Sequence, residues 1–359
     1  MLSGVFRTLL ALRKMNCLGL SAVPKFAVLG FGSSGQRHAA SLRSRFPADE
    51  IAVYSSRPQE DSRFVMTSSL ADIAKFCPDV VVVAGVATER LAMVQALPDG
   101  LQGILVEKPL ADTFAKGVEI ADWAARKAKF VRVGYNLRFS PSLREFKRRI
   151  DGADLGDVLS IRVETGQFLP DWRPGRDYRA TASAQKALGG GALLELSHEI
   201  DYVRWIFGEI EWVSAWMGKS SGLDIDVEDT AGLIVGFASS ERNANKVGQM
   251  SLDLVRRDRT RSLTAVCALG SLRWDGISST VEEYMAATDN WQQVFVEEPG
   301  SSSTYERQWD GFFSALEGDA DEAATLLDGL AALQVVDAAK KSNDLAGARV
   351  TIEPLEILA

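Results

Sequence analysis

The chain has 359 residues, of which 46% are hydrophobic and 25% charged, with a net charge of −8. That length exceeds one ordinary core and points to two domains, and the balanced composition excludes general disorder. The acidic balance argues against a nucleic-acid partner, because binding a polyanion needs a basic face, and no apolar run is long enough to cross a bilayer.

The three cysteines, Cys17, Cys77 and Cys267, are dispersed and form no Cys-x-x-Cys, which reads as reduced thiols in a cytoplasmic protein. His38 and His198 are the only histidines, so a histidine-rich site is excluded and no metal is expected. Residues 1–24 are basic with scattered leucines. Two readings stand: an organelle presequence, or a short arm or upstream start ahead of Met15. Either way the stretch is set apart from the fold as an N-terminal extension.

From Lys25 onward, strand-like and helix-like segments alternate. Lys25–Gly30 is a short apolar, β-branched strand, followed by a glycine turn and a helix over about Gly35–Phe46. Ile51–Tyr54 is a second strand. Ser69 stands as the cap of a helix carrying Leu70, Ile73 and Phe76. Then come a strand at Asp79–Ala84, a helix at Leu91–Leu97, a strand at Gly103–Val106, a helix at Ala115–Lys129 and a strand at Phe130–Gly134. This alternation predicts a parallel, doubly wound sheet over residues 25–140.

The rhythm then changes. Pro141 suits the first position of a helix to Ile150, with Ser140 as its cap. A strand at Val158–Phe168 leads into a loop rich in Trp, Arg and Tyr from Pro170 to Arg179. Three glycines at 189–191 precede one helix over Ala192–Phe207. Strands follow at Glu211–Met217, Ala231–Phe237, Lys246–Leu254, Ser262–Ala268, Ser271–Trp274 and Gln292–Val296, and helices at Tyr305–Leu316 and Asp321–Ser342. The economical picture for residues 141–359 is an α+β domain with a large, mostly antiparallel sheet backed by helices.

Four stretches carry chemistry. Gly30-Phe31-Gly32-Ser33-Ser34-Gly35 follows a buried strand and opens a helix, the context in which G-x-G-x-x-G marks a dinucleotide site. After the second strand, where an NAD site usually has an acid, the chain reads Tyr54-Ser55-Ser56-Arg57. Hydroxyls and a guanidinium suit the 2′-phosphate of NADP, although Arg57 as a solvated loop cation is the plainer alternative. Glu107-Lys108-Pro109 ends the strand GILV, at the sheet edge where ligands bind. Lys108 there is either an ammonium for a developing alkoxide or an ordinary surface lysine. In the fourth stretch, Glu195 and His198 stand three apart and share a helix face, either as a proton-transfer pair or as structural core groups.

Taken together, the strand-GFGSSG-helix opening, EKP at 107–109, GYNLRFSP at 134–141 and GGGALLELSHEIDYVRWIFGE at 189–209 resemble the Gfo/Idh/MocA oxidoreductases. The resemblance runs from about Lys25 to the last helix. LPDWRPGRDYR at 169–179, with SHEIDY, also resembles members placed in bacterial surface-sugar pathways. The family implies a Rossmann domain, a C-terminal open-faced sheet used for homodimers or homotetramers, and reversible hydride transfer between NADP or NAD and a hydroxyl-bearing carbon. It implies that Lys108 and His198 flank that carbon, with His198 as general acid/base. The usual family pattern has Asp four residues before that histidine, so Glu195, three before, departs from it.

The expected nucleotide contacts are Gly30, Gly32, Ser33, Ser34, Gly35, Ser55, Ser56, Arg57, Glu107 and Lys108. The expected partner is a small sugar, sugar nucleotide or cyclitol. Its candidate contacts are Asn136, Arg138, Asp171, Trp172, Arg173, Arg176 and Tyr178, with arginines suited to a carboxylate or phosphate and Trp172 to a sugar face. Residues of the 169–179 loop read equally well as an arm at a subunit interface. Two rival functions share the fold, a non-catalytic dinucleotide-sensing regulator and an NAD-using glycoside hydrolase. Keeping both Lys108 and His198 weighs against the first, and the acid-free loop after Tyr54 against the second.

Overall fold

The computed structural model describes residues 24–57, 59–238, 246–319 and 322–355. The expectation for the N-terminal extension falls outside them, apart from Pro24. The chain divides into two compact units. The first holds the described residues up to Ala111, then Ala115–Asn136 and Ser303–Leu326; the second holds Asp112–Phe114, Leu137–Ser302 and the described residues from Leu327 on.

In the first unit, β1 (Phe26–Leu29), β2 (Ile51–Tyr54), β3 (Val65–Thr67), β4 (Val80–Val83), β5 (Gly103–Val106) and β6 (Val131–Val133) form one all-parallel sheet in the order β3-β2-β1-β4-β5-β6. The runs FAVL, VVVV and GILV are buried along their whole length, as strands covered on both faces must be. The order reverses between β1 and β4, which opens a crevice at the carboxyl ends of the strands. The linking helices are α1 (Ser33–Arg45), α2 (Leu70–Phe76), α3 (Arg90–Gln95) and α4 (Phe114–Arg126).

Several details differ from expectation. Helix α1 begins at Ser33 rather than Gly35. Strand β3 was not anticipated: it is short and half exposed, so it carries almost no burial pattern to read. Ser69 occupies the N-cap position of α2 as expected, but its side chain makes no capping bond.

The domain boundary also differs. Helix α8 (Thr304–Leu316) lies late in the chain yet belongs to the first unit. Ser303 and Glu306 form a capping box at its start. Trp309 and Phe312 are fully buried in the cluster that holds Phe26, Phe46 and Leu105. Gly103 makes room for this helix, since a Cβ there would stand 2.8 Å from the Phe312 ring.

The second unit is built on nine strands: β7 (Val158–Gly166), β8 (Ile210–Gly218), β9 (Thr230–Phe237), β10 (Val247–Asp253), β11 (Thr260–Cys267), β12 (Gly270–Asp275), β13 (Thr280–Met285), β14 (Asn290–Val296) and β15 (Val350–Thr351). Their order is β14-β13-β12-β11-β7-β10-β9-β8-β15, and every pairing except β7 with β10 is antiparallel. Strand β13 was missed because TVEEYM carries two adjacent glutamates. Glu282 is in register with Arg273 of β12 and ion-paired to it, and Glu283 pairs with Arg149. Those partners are invisible in a local window.

The accompanying helices are α5 (Pro141–Gly152), α6 (Ala192–Glu195), α7 (Ser197–Phe207) and α9 (Leu326–Asp344). Pro141 does open α5, but Ser140 pairs with the Ser142 hydroxyl at 3.1 Å instead of capping. Helix α5 is fastened to the sheet by the Trp274 indole N–H, which donates to Ser142 Oγ at 2.9 Å, and Tyr202 of α7 sets its ring edge on Trp274. On the outer face of the sheet, Trp216 and Ile234 are 57% and 44% exposed. The expected single helix over 192–207 is two helices, broken at Leu196 (φ −99°, ψ 27°). No helix among the described residues is long and apolar enough to span a membrane.

Since α8 completes the first unit's core, Trp309→Ala should destabilise that unit by about 3–5 kcal/mol. Denaturant unfolding followed by a nucleotide-binding readout checks this. A cost under about 1 kcal/mol would show that α8 merely leans on the sheet.

Candidate active site

The candidate residues fall on both units. In the first, β1 runs into the glycine turn and α1 starts immediately after it. Gly30 has φ +100°, and a Cβ there would lie 2.6 Å from the Gly85 nitrogen. Gly35 lets α1 approach β1, since its Cβ would fall 1.9 Å from the Gly30 carbonyl oxygen. Gly32 is the opposite case: it is exposed, and nothing lies within 4 Å of where its Cβ would be. Two glycines thus serve packing, and the middle one leaves open space in front of a helix start with no side-chain cap and no acid in its first turn. That is the arrangement a pyrophosphate needs, with backbone N–H groups and the positive dipole end left for the anion. Ser33 and Ser34 are the first two residues of α1. These residues fit a dinucleotide.

At the end of β2, Ser55 is buried and shapes the turn. Its N–H donates to the Thr67 carbonyl, its hydroxyl donates to the Arg57 carbonyl at 2.8 Å, and it accepts from Gln59 Nε2 at 3.0 Å. Ser56 and Arg57 are left exposed at the tip.

Glu107 differs from its expected place. It was a candidate nucleotide contact, but its carboxylate faces the interior and is 4% exposed. Oε1 accepts from His38 Nε2–H at 2.8 Å and Oε2 from the Lys108 backbone N–H at 3.1 Å. Burial alone would raise its pKa; the hydrogen bond from His38 and the cations Arg90 and Lys108 more than offset this and hold it below the usual range. Lys108 itself is half-buried at the carboxyl end of β5, on the same sheet edge as the glycine turn. Sequence reasoning passed over His38. The available signal was a polar residue on the inward face of α1, beside Ala39 and Leu42.

In the second unit, Gly191 takes a φ of +109° that L side chains rarely adopt, and turns the chain past the Glu228 carboxylate. The Glu228 main-chain carbonyl accepts the Ala192 N–H at 3.0 Å and its carboxylate accepts the Leu193 N–H at 3.1 Å. Glu195 closes α6, where its carboxylate accepts from the buried Ser183 hydroxyl at 3.0 Å. His198 is the second residue of α7 and is half-buried. The premise that Glu195 and His198 share one helix face does not hold, because the helix breaks between them.

Arg138 needs a correction. Offered as a substrate contact, it is 4% exposed, with Nε and Nη2 on the two Asp201 oxygens at 3.0 and 2.7 Å and a further bond to Asp328. Burial works against its charge, but Asp201 and Asp328 keep its pKa above the usual guanidinium range. A guanidinium so engaged is a scaffold group. Asn136 is likewise buried and donates to Thr304 Oγ1 at 2.7 Å.

In the loop after β7, the Trp172 indole donates to the Gln167 carbonyl at 2.9 Å and the Tyr178 hydroxyl accepts the Asp224 N–H at 3.1 Å. Both rings pack on a satellite core of Leu169, Leu223, Ile225 and Leu254. Asp171 and Arg176 are exposed and Arg173 is half-buried.

Residues 24–135 match the oxidoreductase family described as an NAD-binding Rossmann fold, and residues 143–273 match the GFO/IDH/MocA C-terminal domain. The rhizopine catabolism protein MocA of Rhizobium meliloti is 26% identical over 251 residues, covering 67% of this chain and 69% of that protein. Inositol 2-dehydrogenase 1 of Saccharopolyspora erythraea is 26% identical over 211 residues, covering 55% of this chain, which thus spans 58% of that relative. Among solved structures, levoglucosan dehydrogenase in complex with NADH has a TM-score of 0.79 at 19% identity, covering 92% of this chain and 100% of its own. The WlbA dehydrogenase from Bordetella pertussis, in complex with NADH and UDP-GlcNAcA, has a TM-score of 0.74 at 19% identity, covering 93% and 99%. At these identities the structural likeness speaks for the fold.

Gly32 and Gly35 make opposite predictions. Gly32→Ala should fold normally and weaken NADH binding by about tenfold or more, by filling the open space before the helix start. Gly35→Ala should instead cost about 1–3 kcal/mol of stability through overpacking. Thermal melts with NADH titrations separate the two, and unchanged NADH affinity in Gly32→Ala would remove the pyrophosphate from this turn.

Proposed function

From the premise that the chain belongs to the Gfo/Idh/MocA family of NAD-binding oxidoreductases, we propose that it is a dehydrogenase moving a hydride reversibly between nicotinamide and a hydroxyl-bearing carbon of a sugar, sugar nucleotide or cyclitol. The observation that carries this is the open glycine turn and Lys108 on one carboxyl edge of one parallel sheet. The relatives named above point the same way for the substrate class. A reducing, cytoplasmic setting fits the dispersed thiols.

When bound, the nicotinamide supplies or accepts the hydride. The chain's own groups handle charge and the proton. His198 takes the hydroxyl proton during oxidation and returns it during reduction, a task that calls for a group titrating near neutral pH. The Lys108 ammonium stabilises the negative oxygen as it forms. Glu195 holds its segment through Ser183 rather than exchanging protons. Substrate recognition falls to Asp171, Arg173 and Arg176, on a loop that Trp172 and Tyr178 anchor. The cofactor we favour is NADP, because exposed Ser56 and Arg57 stand where an acid would grip the 2′-hydroxyl. We also assign a homodimer or homotetramer, joined through the sheet face that exposes Trp216 and Ile234.

A screen of sugars, sugar nucleotides and cyclitols, following reduced-nicotinamide absorbance with both cofactors, tests the activity. On the best substrate, His198→Asn and Lys108→Met should each lower kcat by about 10²-fold or more. Near-normal turnover in His198→Asn would end its acid/base role. NADPH should bind more tightly than NADH, with the difference lost in Arg57→Ala; equal binding by the parent protein contradicts the Arg57 argument. Light scattering should report at least a dimer, and Trp216→Glu should shift it toward monomer. A monomeric parent protein overturns the assembly.

A further inference from the structure

The main chain on either side of Lys108 is held by buried charged and polar side chains to which the proposed mechanism assigns no step. Arg90 is the first residue of α3 and is 6% exposed. Its Nε donates to the Gly85 carbonyl at 3.0 Å, and its Nη1 donates to the carbonyls of Glu107 and Pro109, the residues on either side of Lys108. The Lys108 N–H goes to the Glu107 carboxylate, and that carboxylate is held in turn by fully buried His38. Both polar atoms of the 107–108 peptide, and the next carbonyl but one, thus sit on buried charged side chains. The ring of His38 is walled by the edges of Tyr305 and Trp309 at 5.0 and 5.7 Å, so it has little room to turn.

We propose that Arg90 and His38 are positioning residues that fix the main chain of Lys108 and register it against the phosphate-binding turn. The argument rests on the catalytic reading of Lys108 given above. Three backbone groups beside one surface-reaching lysine do not by themselves require a guanidinium, a carboxylate and an imidazole. Neutral donors or water satisfy carbonyls at ordinary loops, and taking an ion out of water costs several kcal/mol. What the fork of Arg90 adds is geometry, one rigid plane reaching three carbonyls. It also adds connection. Gly85, which Arg90 holds, is the residue whose nitrogen backs Gly30, and His38 rides on the helix whose first turn faces the pyrophosphate. Lys108 and the glycine turn therefore share two rigid links. An ammonium that must meet a developing oxyanion gains from this, because a displacement of about 1 Å can cost about 10²-fold in rate.

The test is a double-mutant cycle. Arg90→Lys keeps the charge and loses the fork. It should lower kcat by about 10–100-fold while the KM and the NADH dissociation constant move by less than about threefold. In a Lys108→Met background, the same Arg90→Lys change should cost less than about threefold further, because the residue it positions is gone. His38→Leu should behave the same way, with His38→Gln, which keeps an N–H donor, losing less; this pair decides the case if Arg90→Lys does not fold. Independently of any substrate, amide exchange over residues 103–111 should quicken in Arg90→Lys and His38→Leu. Equal losses in the parent and Lys108→Met backgrounds, or unchanged amide exchange, overturn the positioning role. A parent-like rate in Lys108→Met instead overturns the catalytic reading beneath it.

Discussion

Gly35 stands where any side chain would drive its Cβ into the Gly30 carbonyl, 1.9 Å away. That close approach sets the distance between α1 and β1, and much of the first unit follows from it. With the helix pressed to the strand, its N-terminus comes right behind the open space at Gly32. One helical step further, three residues on, the same inward face presents His38. His38 meets Glu107, and Glu107 holds the Lys108 N–H. The anion site and the lysine are thus two consequences of one helix–strand contact. A shift of α1 along its axis would move both.

The second unit depends on buried charge in a comparable way. Helix α7 carries Ser-His-Glu-Ile-Asp, and both of its acids are fully or almost fully buried with arginine partners. Asp201 takes Arg138, and Glu199 takes Arg261 at 2.8 Å. Arg204, on the same helix, is bonded to Glu209 and to the Asp328 carbonyl. Removing one partner of such a pair leaves an uncompensated buried ion and costs about 3–5 kcal/mol. Three anchored side chains along α7 leave little freedom to rotate it, so the direction of His198 is set by residues that do no chemistry. In the SHEID string, Glu199 and Asp201 are fastenings, and His198 is half-buried beside them.

How much of this was legible follows the range of the forces involved. The strands of the parallel sheet were readable because burial on both faces demands continuous apolar runs, which FAVL, VVVV and GILV supply locally. The glycine turn was readable because its steric requirement is confined to a few adjacent residues. The break at Leu196 was not. Propensity favours one helix over 192–207, and no Gly or Pro marks its interruption at Leu196. Strand β13 was hidden because its glutamates are matched by Arg273 and Arg149, outside any local window. Arg138 was misread because an arginine in a motif looks like an anion anchor until its carboxylates are seen. Helix α8 showed its aromatic stripe plainly, but nothing local says which core receives it.

The loop after β7 narrows the substrate problem by subtraction. It lacks long regular structure but is not slack. Short turns at Leu169–Trp172, Tyr178–Ala180, Ala182–Ala184 and Lys186–Leu188 follow one another, and Lys186 N–H is tied to Asp226 at 2.6 Å. Its two largest rings, Trp172 and Tyr178, pack on the satellite core and anchor the loop. Arg179 is engaged by Asp177. On the proposed reading, the charged groups of this loop that meet a substrate are one carboxylate, Asp171, and two guanidiniums, Arg173 and Arg176. A carboxylate accepts from sugar hydroxyls, while paired guanidiniums match a bidentate anion. On that reading, two guanidiniums beside a carboxylate favour a polyol that also carries a carboxylate or phosphate over a wholly neutral one.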